Sequence, residues 1–267
     1  MWHKFLYQPI VNALIFLYQF FGNFGLAIIG LTLLIRALLI PLTLPSLKTA
    51  GKMKKLAPEL GKLKKKYKDK QKLAKAQMEL YRRHGVNPAA GCLPQIIQLV
   101  ILVALYQAFN QVLRGDGEII AKLNEVLYPG LQLPLKTVIN TRFFYLDLNK
   151  PDVFRLPGIS FSLPGLFLVL AAFTQVVSSK MMQPAVALSQ KQAKKTITKE
   201  DDVATAMQSQ MLYLFPLMTI LIGYSFPSGL VLYWLTFSLF MAVQQYLISG
   251  WGGVEPWLKK LKREKAN

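Results

Sequence analysis

Apolar positions along this chain gather into long continuous blocks, without the short alternating or amphipathic stripes of a soluble domain. Blocks of about 18 or more mostly apolar residues, the length that crosses ~30 Å of hydrocarbon, occupy 24–45, 91–113, 161–182, 209–226 and 229–249. They predict five transmembrane helices. Ahead of them, "FLYQPIVNALIFLYQFFGN" at 5–23 is aromatic-rich but interrupted by Gln8, Asn12 and Gln19, with Pro9 where a helix can begin. Residues 1–23 read as an amphipathic helix lying along the membrane surface, with a sixth span as the alternative. The segment lacks the charged leading region and small-residue cleavage site of a removable signal peptide.

Polar blocks separate the spans. In 48–87, Leu56, Leu60, Leu63 and Tyr67 recur at helical spacing, and Leu73, Ala76 and Leu80 follow after the turn "KDKQ". Two antiparallel helices that pair these stripes make a cytoplasmic helical hairpin, closing at His84-Gly85.

Composition agrees with a membrane protein: hydrophobic residues are 53% of the chain and mean hydropathy is +0.33. The formal charge of +19 is placed unevenly. Residues 48–87 carry fourteen Lys and Arg against Glu59, Asp69 and Glu79. The third loop, 183–208, has Lys191, Lys194, Lys195 and Lys199, and the tail over 251–267 has Lys259, Lys260, Lys262, Arg263 and Lys265. In 114–160, by contrast, six basic residues are nearly balanced by Asp116, Glu118, Glu125, Asp147 and Asp152. The positive-inside rule therefore puts the first and third loops and the C-terminus in the cytoplasm, with 114–160 and the N-terminus outside. With no organelle-targeting presequence, a bacterial cytoplasmic membrane is expected.

Several chemistries have no residues to carry them. A lone Cys92 forms no internal disulfide and reads as a packing residue at a span's edge. His3 and His84 are far apart and belong to no metal-spaced cluster, and no GxxxxGK[ST] loop occurs. Neither a metal, a cofactor nor an enzymatic activity is expected.

The spans contain no Asp or Glu, but "LTLLIRALLIPLTLP" at 31–45 holds Arg36. An arginine at mid-depth costs about 3 to 17 kcal/mol, depending on how water and snorkelling relieve it. Helical rise puts Arg36 roughly 13 Å from Pro45, too far for one side chain to snorkel alone. Thr32 lies one turn earlier on the same face. The pair predicts a polar stripe facing a hydrated cavity, opened to the cytoplasm by bends at Pro41 and Pro45. The competing reading is an arginine packed against Gln side chains and carbonyls as helix glue.

The strings "GLTLLIRALLIPLT", "NPAAGCLPQIIQLVILVALYQAF" and "FPSGLVLYWLTFSLFMAVQQYLI", with the lysine-rich hairpin between the first two, resemble the YidC-type membrane protein insertases, a family with mitochondrial and chloroplast relatives. The match keeps the family order over residues 1 to about 250. The resemblance implies an all-α integral membrane protein with five helices over 24–250 around a hydrophilic groove, open to cytoplasm and lipid and closed to the outside. It puts the groove arginine at Arg36, its polar companions at Thr32 and Gln98, and substrate contacts at Tyr233 and Trp234. Nascent membrane proteins would be the substrates. The ribosome, signal recognition components or the Sec translocon would meet the hairpin, where Lys54, Lys55, Lys64, Lys65, Lys66, Arg82 and Arg83 also suit anionic lipids. A monomer is expected to suffice. The chain departs from the family where Leu99 and Val100 follow Gln98 in place of an early proline, and 114–160 is longer than the family core requires. A small anion channel or carrier using Arg36 is the alternative function.

Overall fold

The computed structural model describes residues 3–67, 69–86, 93–113, 117–158, 162–182, 214, 216–255 and 257–258. The chain is mostly helical. A short π-helical turn, His3–Tyr7, leads into α1, Gln8–Phe21, with Pro9 in its first turn and Gly22 at φ +66 as its left-handed C-cap. Further helices are α2, Phe24–Lys66; α3, Lys70–Arg83; α4, Leu93–Leu113; α5, Gly117–Val126; α6, Leu166–Met182; and α7, Ser228–Ser249. Residues 216–223 are also helical. Of the five blocks expected to span, Phe24–Pro45 and Ser228–Ile248 are long and apolar enough to do so among the described residues. Ile97–Asn110 and Leu166–Met181 are shorter apolar helices, and 209–213 lie outside the described residues.

Two expectations about helix ends change. Pro41, Pro45 and Pro58 all lie inside α2, which runs on through 66 without ending near 45. Each proline removes one ladder donor, and between Pro41 and Pro45 the Thr43 Oγ1 donates to the Ile40 carbonyl of its own helix. At the other end, the block beginning at 161 is not helical until Leu166. Leu163–Pro164 instead form strand β4, pairing antiparallel with β3, Val153–Phe154.

The chain divides into two compact units. The first comprises Met1–Leu39, Ile96–Thr174 and Pro216–Phe240. Its core collects Val11, Leu14 and Ile15 of α1, Phe24 and Ile28 of α2, Leu105 and Phe109 of α4, Leu168 of α6 and Val231 of α7. Of the segment expected to be an extracytoplasmic loop, 114–160, the described residues 117–158 are folded onto these helices. They contain α5 and a two-residue hairpin in which β1, Arg142–Phe143, pairs with β2, Leu146–Asp147.

The amides that interrupt the first apolar block hold this loop. Gln8 and Asn12 donate to the Val126 carbonyl, each at 3.0 Å, Asn12 Oδ1 accepts from the Tyr128 N–H at 2.6 Å, and Gln19 donates to Leu131 O. Helix starts, whose first N–H groups have no partner in the helix, take loop carbonyls: Ser228 N–H donates to Lys150 O at 2.8 Å and Gly229 N–H to Leu148 O at 3.1 Å. Gly25 admits Phe143, whose ring occupies the space a Cβ would take.

Asp152 anchors the loop to α6. It is 2% exposed, and its carboxylate accepts from the Leu168 N–H at 2.8 Å and the Tyr145 hydroxyl at 2.9 Å. A side chain at Gly165 would collide with that carboxylate. The Tyr145 hydroxyl also accepts from the Phe167 N–H. Burial raises the Tyr145 pKa, and hydrogen bonding to Asp152 adds to the rise against the opposing Phe167 N–H bond. Burial also pushes the nearby Asp147 carboxyl upward, but Lys150, the Asn149 N–H and Thr141 together hold it below its ordinary value.

The second unit comprises Ile40–Gln95, Gln175–Phe215 and Met241–Asn267. Here α2 ends at Lys66 and α3 begins at Lys70. Asp69 caps α3 by accepting from the Gln71 and Lys72 N–H groups, and Gly85 at φ +59 follows its C-cap, His84. Leu56, Leu73 and Val86 are buried, and Glu59 lies 4.0 Å from His84. Burial raises the Tyr81 pKa. Lys180 Nζ sits 3.2 Å over the Trp257 ring.

Candidate functional site

Arg36, Gln98 and Tyr233 come from helices far apart in sequence and meet inside the first unit. Each is buried, at 4%, 7% and 1% exposure. The Arg36 guanidinium donates through Nη2 to Gln98 Oε1. Gln98 turns its other amide atom outward to donate to the Tyr233 hydroxyl at 2.7 Å. The relay suits the chemistry of the parts. A guanidinium only donates, an amide both accepts and donates, and a phenol hydroxyl accepts.

Phe237 completes the cluster. Its ring lies 3.7 Å from Arg36 Cζ, presenting an aromatic face to the cation. The sequence reading missed it, although Phe237 stands one turn beyond Tyr233, where i,i+4 neighbours share a helix face. Aromatic residues are common in such a helix, so this spacing was a weak signal.

Not all of the expected companions join. The buried Thr32 hydroxyl donates to its own helix at Ile28 O, 2.6 Å. Trp234 is 8% exposed and lies with Tyr233 in the apolar core, so both residues expected to contact substrate are covered by the chain's own residues. Burying a guanidinium costs several kcal/mol after relaxation. A hydrogen bond to a charged group returns about 1.5–3 kcal/mol, and a desolvated cation–π contact about 2 kcal/mol. The neutral partners offset much of the penalty while leaving the positive charge intact.

Farther along α7, in the second unit, Gln244 Nε2 and Gln245 Oε1 are buried without a hydrogen-bond partner among the described residues, a demand that water commonly meets. Of the hairpin residues, Lys65, Lys66, Arg82 and Arg83 are exposed, and Arg83 pairs with Glu79. Lys54, Lys55 and Lys64 lie on α2 with side chains outside the described ones. The third loop, 183–208, the basic end of the tail and Cys92 also lie outside the described residues. No cluster of His, Cys, Asp or Glu suited to a metal occurs among the described residues.

Fold and site together define a mostly helical protein with two helices long and apolar enough to cross a membrane among the described residues, in which Arg36 lies against Gln98 and Phe237. Its sequence matches the model of the 60Kd inner membrane protein family over residues 16–252, and the chain belongs to that family. A membrane protein insertase YidC of Fusobacterium nucleatum is 37% identical over 250 residues, covering 92% of this chain and 97% of the relative. The membrane protein insertase MisCA of Bacillus subtilis is 30% identical, covering 93% of this chain and 79% of its own length. The crystal structure of an active YidC insertase with its first transmembrane domain resolved superposes with a TM-score of 0.54 at 27% identity. That likeness covers 90% of this chain but 46% of the solved one, so the chain spans less than half of that protein. None of these relatives is named a channel or carrier.

Proposed function

We propose that this chain is a membrane protein insertase working in a bacterial cytoplasmic membrane, with five spans, the N-terminus outside and the C-terminus in the cytoplasm. Nascent membrane proteins are its substrates. The buried Arg36–Gln98–Tyr233 relay in a chain of this family is the observation that carries the reading. In a hydrated groove around it, open to the cytoplasm, a substrate's polar and often acidic external segment exchanges water for water plus a fixed cation. The cost of passing through hydrocarbon falls accordingly. The substrate's apolar helix then leaves into lipid, driven by burial worth about 25 cal/mol per Å² of apolar surface. No covalent step and no cofactor are involved. Thr32 extends the polar wall, and Trp234 and Tyr233 line the exit once the substrate displaces their cover.

The test is co-translational insertion of a small single-span protein with an acidic external tail into liposomes holding only this protein. Insertion above protein-free vesicles is expected. Insertion no better than empty vesicles, alongside anion conductance, would replace the insertase with the channel.

The basic hairpin over 48–87 receives the ribosome, with signal recognition components, the Sec translocon and anionic lipid as further partners; the insertase acts as a monomer. Replacing Lys65, Lys66, Arg82 and Arg83 with Gln should weaken ribosome co-sedimentation with the proteoliposomes. It should also flatten the salt dependence by about 0.7 per lost phosphate contact on a log–log plot. An unchanged slope would assign these charges to topology alone.

A further inference from the structure

The tip of the β1–β2 hairpin spends backbone strain to expose an aromatic ring. Phe144 has φ +51, the one positive value at a non-glycine residue among those described, and it is 85% exposed. A two-residue hairpin loop with a left-handed first position prefers glycine there. Strain of this kind at a bulky residue points toward a role for the residue that holds it.

The neighbours of Phe144 make the tip part of a larger apolar face. Tyr145, Phe154, Leu156 and Leu166 are each between 46% and 56% exposed. Tyr145 stacks on Phe154 at 5.6 Å, and Phe144 lies 6.3 Å from Phe167 in the first turn of α6. The face continues along α6 through the exposed Val169 and Phe173. Its height is fixed: the Tyr145 hydroxyl bonds both Asp152 and the Phe167 N–H, so the tip cannot move independently of the start of α6.

Charge also rims this face. Arg142 and Arg155 are exposed, Lys150 pairs with Asp147, which also accepts from Thr141, and the buried Asp152 accepts from Tyr145 and Leu168. An aromatic face with a basic rim, level with a helix entering the membrane, matches a surface that is apolar inside and anionic at its boundary.

We propose that Phe144 and its aromatic neighbours anchor the extracytoplasmic loop in the headgroup–acyl boundary of the outer leaflet. The anchor rests on the reading that α6 spans the membrane, and the test keeps the two apart. Starting from Cys92→Ala, single cysteines at Phe144, Phe173 and Glu79 of the full chain are labelled with an environment-sensitive fluorophore. The protein is then placed in phosphatidylcholine–phosphatidylglycerol vesicles, with lipid-borne nitroxides and aqueous iodide as quenchers.

The label at 144 should show blue-shifted emission, quenching by headgroup and shallow-chain nitroxides, and shielding from iodide relative to 79. The label at 173 should report the deeper chain. To separate the native ring from the label, Phe144→Gly is combined with a label at Leu156→Cys. Glycine suits the backbone there, so loss of lipid quenching at 156 assigns the anchor to the ring, and unchanged quenching overturns it. If 144 behaves like 79 while 173 reports lipid, α6 still spans, the anchor fails and the face is open to a protein partner. If 173 is aqueous too, the span and the anchor fail together.

Discussion

Arg36→Ala is expected to lower insertion of the acidic-tailed substrate about 10- to 100-fold, the factor that follows from losing one charged hydrogen bond worth about 1.5–3 kcal/mol. The effect should be confined to the substrate's charge, because Gln98 and Tyr233 still bond each other when the guanidinium is gone. A substrate with a neutral tail is therefore less affected. Arg36→Glu reverses the sign at the same place and should abolish insertion of acidic tails. Arg36→Lys separates charge from shape: an ammonium keeps the positive charge but lacks the planar fork that donates to Gln98 with its carbon over the Phe237 ring. If Lys fails as completely as Ala, the geometry of the relay matters and charge alone does not suffice. Equal insertion by wild type and Arg36→Ala would make Arg36 a packing residue. The assay is the reconstituted insertion described above, scored by protection of the translocated tail.

Gly165→Ala is expected to be the more damaging change to the fold, though it adds one methyl group. No left-handed backbone is needed at Gly165, and the penalty comes from the Asp152 carboxylate that occupies the position of the new Cβ. Moving that carboxylate takes away the acceptor that caps α6 and strands the buried Leu168 N–H. A loss of about 1–3 kcal/mol is expected from that unsatisfied donor, read as a lower midpoint in thermal melts of the detergent-purified protein followed by circular dichroism. Asp152→Ala should cost a similar amount, and the double variant should cost little more than either single change, since both remove the same contact. Asp152→Asn keeps an acceptor in place and should be much milder. Full additivity would mean that the glycine and the carboxylate act independently.

How much of this was legible before folding differs from element to element. The apolar blocks announced helices because a bilayer demands length, and length is written directly in the sequence. Where α6 begins was not, because its start at Leu166 depends on Asp152, a residue distant in the chain that caps it. The fold of 117–158 was hidden for the same reason. Gln8, Asn12 and Gln19 read as polar interruptions of an interfacial helix, and their carbonyl partners Val126 and Leu131 become visible only when α1 and the loop lie together.

The candidate site divides along the same line. Sequence by itself determined that a cation sits within an apolar block lacking acids, and the family strings implied Thr32 and Gln98 as its companions and Tyr233 as a substrate contact. Only the tertiary structure decided that Gln98 bridges Arg36 to Tyr233, that Phe237 lies beneath the guanidinium and that Thr32 turns back to its own helix. Charge and hydrophobic length are properties of residues in a row and survive in a string of letters. A hydrogen bond between α2, α4 and α7 depends on how those helices are rotated against one another, and packing sets that rotation.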